Sequence, residues 1–114
     1  MINMASELVS HIQRFWASAE AVYRLGDHTS ATILYFKCWF VLLDHILLIA
    51  TQKHPTDHTE RFRLLETHFP LLYITLDKYF PIYRDTYSLV IEKETCDEVR
   101  YHVLRIIKEQ KIQV

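Results

Sequence analysis

Glycine is almost absent from this chain, which has one among 114 residues and only three prolines. Sandwiches, barrels and loops that cradle phosphate need many turn residues, so these architectures are excluded. Cysteine is scarce as well: Cys38 and Cys96 are far apart, with no CxxC or Cys/His zinc spacing around them. That is neither a disulfide-stapled secreted scaffold nor a zinc module. Excess charge of one sign is also missing. The formal net charge is −1, which argues against a dedicated DNA binder, because affinity for phosphate needs a basic surplus. Any nucleic-acid contact must come from a local patch. The first residues carry no basic stretch followed by an apolar run, so no signal peptide is expected, and with two cysteines the expected compartment is a reducing cytoplasm.

What the chain does have is apolar mass. Half of it is hydrophobic and 24% is charged, including six Phe, seven Tyr and two Trp. This supplies a core of large, oriented side chains within one domain, 1–114, and excludes a disordered chain. The most apolar segment, Ala31 to Ala50, is long enough to suggest a membrane span. It contains Lys37, Asp44 and His45, each costly in lipid. The expectation is a helix buried in a bundle, with no membrane contact.

The periodicity is helical almost throughout. Leu8, Val9, Ile12, Phe15, Trp16, Ala19, Val22 and Tyr23 recur at three- and four-residue steps, with Glu7, Gln13, Arg14 and Glu20 off the stripe. Gly26 ends this helix. A second helix is expected from about Ser30 to Gln52, apolar nearly all round, with Lys37 and Asp44 on one face and His45 beside it. After the break at His54-Pro55-Thr56, Asp57 and Glu60 read as a capping box for a short helix. Pro70 opens the next helix and Pro81 is expected to kink or break it near Asp77 to Phe80. Ser88 to Glu94 reads as a loop, and Thr95-Cys96-Asp97-Glu98 as a second capping box before the last helix. The expected fold is all-α: an antiparallel, up-and-down four-helix bundle with one additional short helix.

The order of features has a counterpart. Arg24-Leu25-Gly26-Asp27-His28 closes the first helix, and Ala31 to Phe40 opens a long one rich in small and aromatic residues. Thr56-Asp57-His58-Thr59 follows, then Arg84-Asp85-Thr86-Tyr87 ahead of the final helix. From about Ser6 to Lys111 this resembles the HEPN superfamily of small all-helical prokaryotic domains. The resemblance implies a bundle that pairs as a homodimer. Many such domains are metal-independent ribonucleases that use an Arg and, after four to six intervening residues, a His near the start of the last long helix. Others are non-catalytic and pair with a small nucleotidyltransferase as toxin and antitoxin. Here the pattern is broken. The positions where the His would follow Arg84 hold Leu89, Val90 and Ile91. Formal matches from Arg63 or Arg61 to His68 lie on the short helix, and chance alone supplies about one such match.

Metal-free RNA cleavage needs a base, an acid and a cation for the charge on phosphorus. Arg84 fits the cation, since a guanidinium matches phosphate oxygens bidentately. Tyr87 suits stacking or a phosphate hydrogen bond better than proton transfer. The competing reading pairs Arg84 with Asp85 or Asp44 and packs Tyr87 under the last helix. Asp44 and His45 form a second polar cluster, whose plainer reading is a buried ion pair with Lys37 or Arg84. His102 is a further candidate, able to reach Arg84 from the last helix. Seven histidines raise the question of metal, but Pro55 breaks the alignment of His54 with His58. No metal and no cofactor is expected. The expected function is therefore a nucleotide- or RNA-binding homodimer with Arg84, Tyr87, Asp44, His45, Lys37 and His102 as candidate contacts. The alternative is a structural or adaptor bundle whose apolar helix binds a partner protein.

Overall fold

A computed structural model describes residues 3–114. The described residues form five helices and no strand: α1 (Met4–Arg24), α2 (His28–Thr51), α3 (His58–His68), α4 (Pro70–Asp85) and α5 (Lys93–Glu109). The fold is all-α, as the 3.6-residue period requires.

The helix ends follow local chemistry, with two corrections. Gly26 adopts φ +85° just past α1, where a side chain would be strained. Asp27 caps α2 by accepting from the Ser30 amide at 3.0 Å, so α2 begins at His28 rather than Ser30. Asp57 caps α3 through the Glu60 amide at 2.8 Å, while the Glu60 carboxylate takes the Thr56 hydroxyl instead of reaching back. The first correction concerns the break expected near Pro81. Helix α4 runs unbroken from Pro70 to Asp85, with Pro81 inside it. The proline deprives the Asp77 carbonyl of its i+4 donor, and this happens on an exposed face where water can compensate. The second concerns α5, which begins at Lys93, so Thr95 to Glu98 lie within the helix. Tertiary contacts outweigh the local capping pattern there. The Ile91 amide donates to Thr29 Oγ1 at 2.8 Å, and Cys96 is fully buried.

Helix α2 is the centre of the molecule and touches each of the other four. Tyr35, Phe36, Trp39, Leu42, Leu43 and Leu47 are buried on it, which is where the apolar run of the sequence is used. Contacts along its length give the helix directions. Tyr23 meets His28, Trp16 meets Tyr35, and the Cys38 thiol reaches the Ile12 carbonyl, so α1 and α2 run antiparallel. Trp39 meets Tyr79 while Phe36 meets Tyr83, so α4 also opposes α2.

Glu20 does not lie apart from the core. Its carboxylate accepts from Arg100 Nε at 2.6 Å, Arg100 Nη2 at 3.1 Å and the Tyr35 hydroxyl at 2.7 Å. One carboxylate thus ties α1, α2 and α5 together. Burial acts to raise its pKa, but the hydrogen bonds from Arg100 and Tyr35 outweigh this and hold it below the usual carboxylate value.

Candidate functional site

Phe80, on α4, is the hub of the region that holds Arg84. Its ring is edge-on to Phe62 of α3 at 5.0 Å and to His58 at 5.2 Å, and lies 6.0 Å from Phe40 and 5.8 Å from Tyr83. The Arg84 guanidinium stands over it at 5.9 Å. Local geometry explains the grouping: Tyr73, Asp77, Phe80 and Arg84 fall at i, i+4, i+7 and i+11 on one face of α4. Together with Phe62 and Pro81 they line a cleft of about 490 Å³ between α3 and α4. Its walls are aromatic, Arg84 stands at one end and Asp77 lies two turns away. Charge from Asp77, and from Glu66 with it, raises the Tyr73 phenol above its ordinary pKa, so that hydroxyl stays protonated.

Arg84 is exposed, and among the described residues it has no carboxylate partner. The pairing with Asp85 or Asp44 does not form. Asp44 is instead held by Arg61, a residue that had stood out only for its chance spacing to His68. Arg61 Nε donates to Asp44 Oδ1 at 2.7 Å and Nη2 to Oδ2 at 2.9 Å, with both side chains buried. Neither Lys37 nor Arg84 takes that role. Lys37 shares the Asp44 face of α2 but lies exposed, because α3 covers only the Asp44 end. A signal for Arg61 was present in the sequence. It stands three and four residues before Leu64 and Leu65, on the inward side of α3.

The third donor of Arg61, Nη1, meets His58 Nδ1 at 2.7 Å. A guanidinium only donates, so Nδ1 is the acceptor and the ring proton resides on Nε2. Burial lowers the His58 pKa, and the charge of Arg61 lowers it further. The native state thus resists protonation of His58 more than the unfolded chain does. Its contribution to stability is complete above the ordinary histidine pKa of about 6.5 and is lost as pH falls below that value. Ring-carbon NMR titration is expected to place the His58 midpoint below 6.5, and Arg61→Met is expected to move it upward.

The other candidates separate. Tyr87 is not packed under the last helix: it is 79% exposed, with its ring 6.0 Å from Tyr83, just past the end of α4. His45 is half-buried on α2. Its Nδ1 is buried without a hydrogen-bond partner, and burial lowers its pKa. His102 does not join Arg84. It stacks on Trp39 at 5.8 Å and 16° and lines a different cleft, of about 240 Å³, with Leu71, Leu72, Thr75, Arg105 and Glu109. The charges there are mutually satisfied, since Arg105 pairs with Glu109 at 3.0 Å. Among the described residues no group of three metal-type ligands gathers. Cys38 and Cys96 are buried and unbonded, and burial pushes the Cys38 thiol up to about 12, which makes it unreactive.

No family model, curated protein or solved structure matches this chain.

Proposed function

We propose that the chain is a HEPN-like helical domain that binds RNA or a nucleotide as a homodimer. The observation that carries this reading is Arg84: an exposed guanidinium without a carboxylate partner, at the mouth of an aromatic cleft. Guanidinium for phosphate and aromatic faces for bases are the two elements that single-stranded nucleic-acid recognition uses. Lys37 is exposed, and its charge lies close enough to act on His58. In this reading the four long helices form the up-and-down antiparallel bundle, with α3 as the added short helix.

The dimer face proposed is the outer side of α2. Leu34, Lys37, Val41, His45 and Leu48 follow at three- and four-residue steps, and all keep partial or full exposure. A two-fold contact along this stripe covers apolar surface about Val41, its middle residue. A minimal nucleotidyltransferase is the protein partner that the HEPN reading supplies, within a toxin–antitoxin or defence pair in a prokaryotic cytoplasm. Ribonuclease activity is the second reading. His58 and Arg84 both pack on Phe80, so an imidazole and a guanidinium border the same ring without the usual spacing along the chain.

Arg84→Ala is expected to weaken binding of single-stranded RNA about ten- to a hundredfold, the range for a charge-assisted hydrogen-bonded contact. Its thermal midpoint should equal that of the wild type. Fluorescence anisotropy and calorimetry check this. Unchanged affinity, or a fall in stability without any binding phenotype, favours the adaptor reading instead. Light scattering is expected to give twice the 13.7 kDa of one chain, and incubation with labelled RNA decides the ribonuclease reading.

A further inference from the structure

We infer that the cleft between α3 and α4 selects guanine, with Asp77 reading the base edge and Arg84 holding the neighbouring phosphate; this rests on the RNA- or nucleotide-binding reading above. The two ends of the cleft have opposite character. At one end stands the Arg84 guanidinium, which offers only donors. At the other stands Asp77, which offers only acceptors. Its carboxylate is exposed, and its backbone carbonyl lacks an i+4 donor because residue 81 is proline. The carboxylate thus presents its two oxygens, free of any ion pair among the described residues, one turn beyond Tyr73 on the same helix face.

Between these ends lie Phe62 and Phe80, whose rings meet edge to face at 5.0 Å and 86°. Phe62 and Tyr73 meet in the same manner, at 6.0 Å and 89°. A planar base entering there finds both ring faces and ring edges. Asp77 and Arg84 are separated by about 10 Å of helix rise. The guanidinium, lying over Phe80, reaches back along this rise toward Asp77, which keeps the two groups within the span from the Watson–Crick edge of a nucleotide to its phosphate.

Base chemistry then decides among the four. Guanine presents two adjacent donors on its pairing edge, N1–H and N2–H2, which match the two oxygens of a carboxylate. Adenine and cytosine each place one amino group beside a ring nitrogen acceptor. Uracil flanks its single N–H with two carbonyl oxygens. Each of these three sets a lone pair against a carboxylate oxygen of Asp77, which repels it. A bidentate match of this kind discriminates by about 1–3 kcal/mol, or about five- to 150-fold.

The experiment uses four fluorescein-labelled pentanucleotides, UUGUU, UUAUU, UUCUU and UUUUU, titrated with the full chain and with Asp77→Asn and Arg84→Ala. Both side chains are exposed, so both variants should keep the wild-type thermal midpoint, which is measured alongside. The expected result is that UUGUU binds at least fivefold tighter than the other three. Asp77→Asn should bring the four affinities within about twofold of one another, because the amide replaces one acceptor with a donor. Arg84→Ala should weaken all four together. Equal binding of the four by the wild-type chain overturns the guanine assignment and leaves the RNA-binding reading standing, as does a guanine preference that survives Asp77→Asn. No binding of any pentanucleotide overturns both.

Discussion

Asp44→Ala is expected to destabilise the fold by about 3–5 kcal/mol, the cost of leaving one member of a buried ion pair without its partner. The Arg61 side chain is 10% exposed and that of Asp44 8%. Arg61 lies over the Phe40 ring at 5.0 Å, so without the carboxylate a full positive charge remains against an aromatic face and a neutral imidazole. Arg61→Met should cost less. A stranded carboxylic acid can take up a proton and become neutral, whereas a guanidinium cannot. The double variant Asp44→Leu/Arg61→Met is expected to recover most of the loss, since replacing both charges with apolar groups removes the desolvation penalty. Urea denaturation of the three variants checks the cycle. A loss below about 1 kcal/mol for Asp44→Ala would mean that water reaches the pair and that α3 is held to α2 by packing alone. The double variant also separates stability from site geometry, because it releases His58 Nδ1 while keeping the fold.

Trp39→Ala is expected to cost a similar 3–5 kcal/mol by a different mechanism. The indole is 1% exposed and stacks on Phe36 at 5.5 Å and 19°, with His102 on it at 5.8 Å. It also lines the cleft between α4 and α5. Truncation leaves a void contiguous with that cleft, so water enters where the ring was. This gives a second readout. Burial is the main cause of the lowered His102 pKa. In the variant the imidazole is better hydrated and its NMR titration midpoint should rise toward the ordinary value. A loss of stability with the His102 titration unchanged would show that the neighbouring helices collapse onto the void rather than admit solvent.

The residues differ in how openly the sequence declares them. Gly26, Asp27 and Asp57 act within three or four residues of where they stand, and their roles are visible from the chain alone. The same local logic misleads at Thr95 to Glu98. Helix α5 starts earlier there because Cys96 is buried and Thr29 of α2 anchors the approach through Ile91. The break expected at Pro81 does not occur: on an exposed helix face the orphaned Asp77 carbonyl is left to water, so the helix runs on. Glu20 and Arg100 meet across 80 residues of chain, and no periodicity marks them as partners. Arg61 is an intermediate case, placed inward by its spacing to Leu64 and Leu65, with nothing local to name Asp44 as the recipient.

What the sequence determined by itself was therefore periodic and short in range: the helices, most of their ends, and the apolar stripe that each one buries. Backbone hydrogen bonding and side-chain repeat both act within a turn, so one stretch of chain contains the whole cause. Which charges are spoken for emerges on folding alone. Electrostatic partnership depends on separation in space, and folding brings Arg61 to Asp44 and Arg100 to Glu20 while leaving Arg84 at an open aromatic cleft.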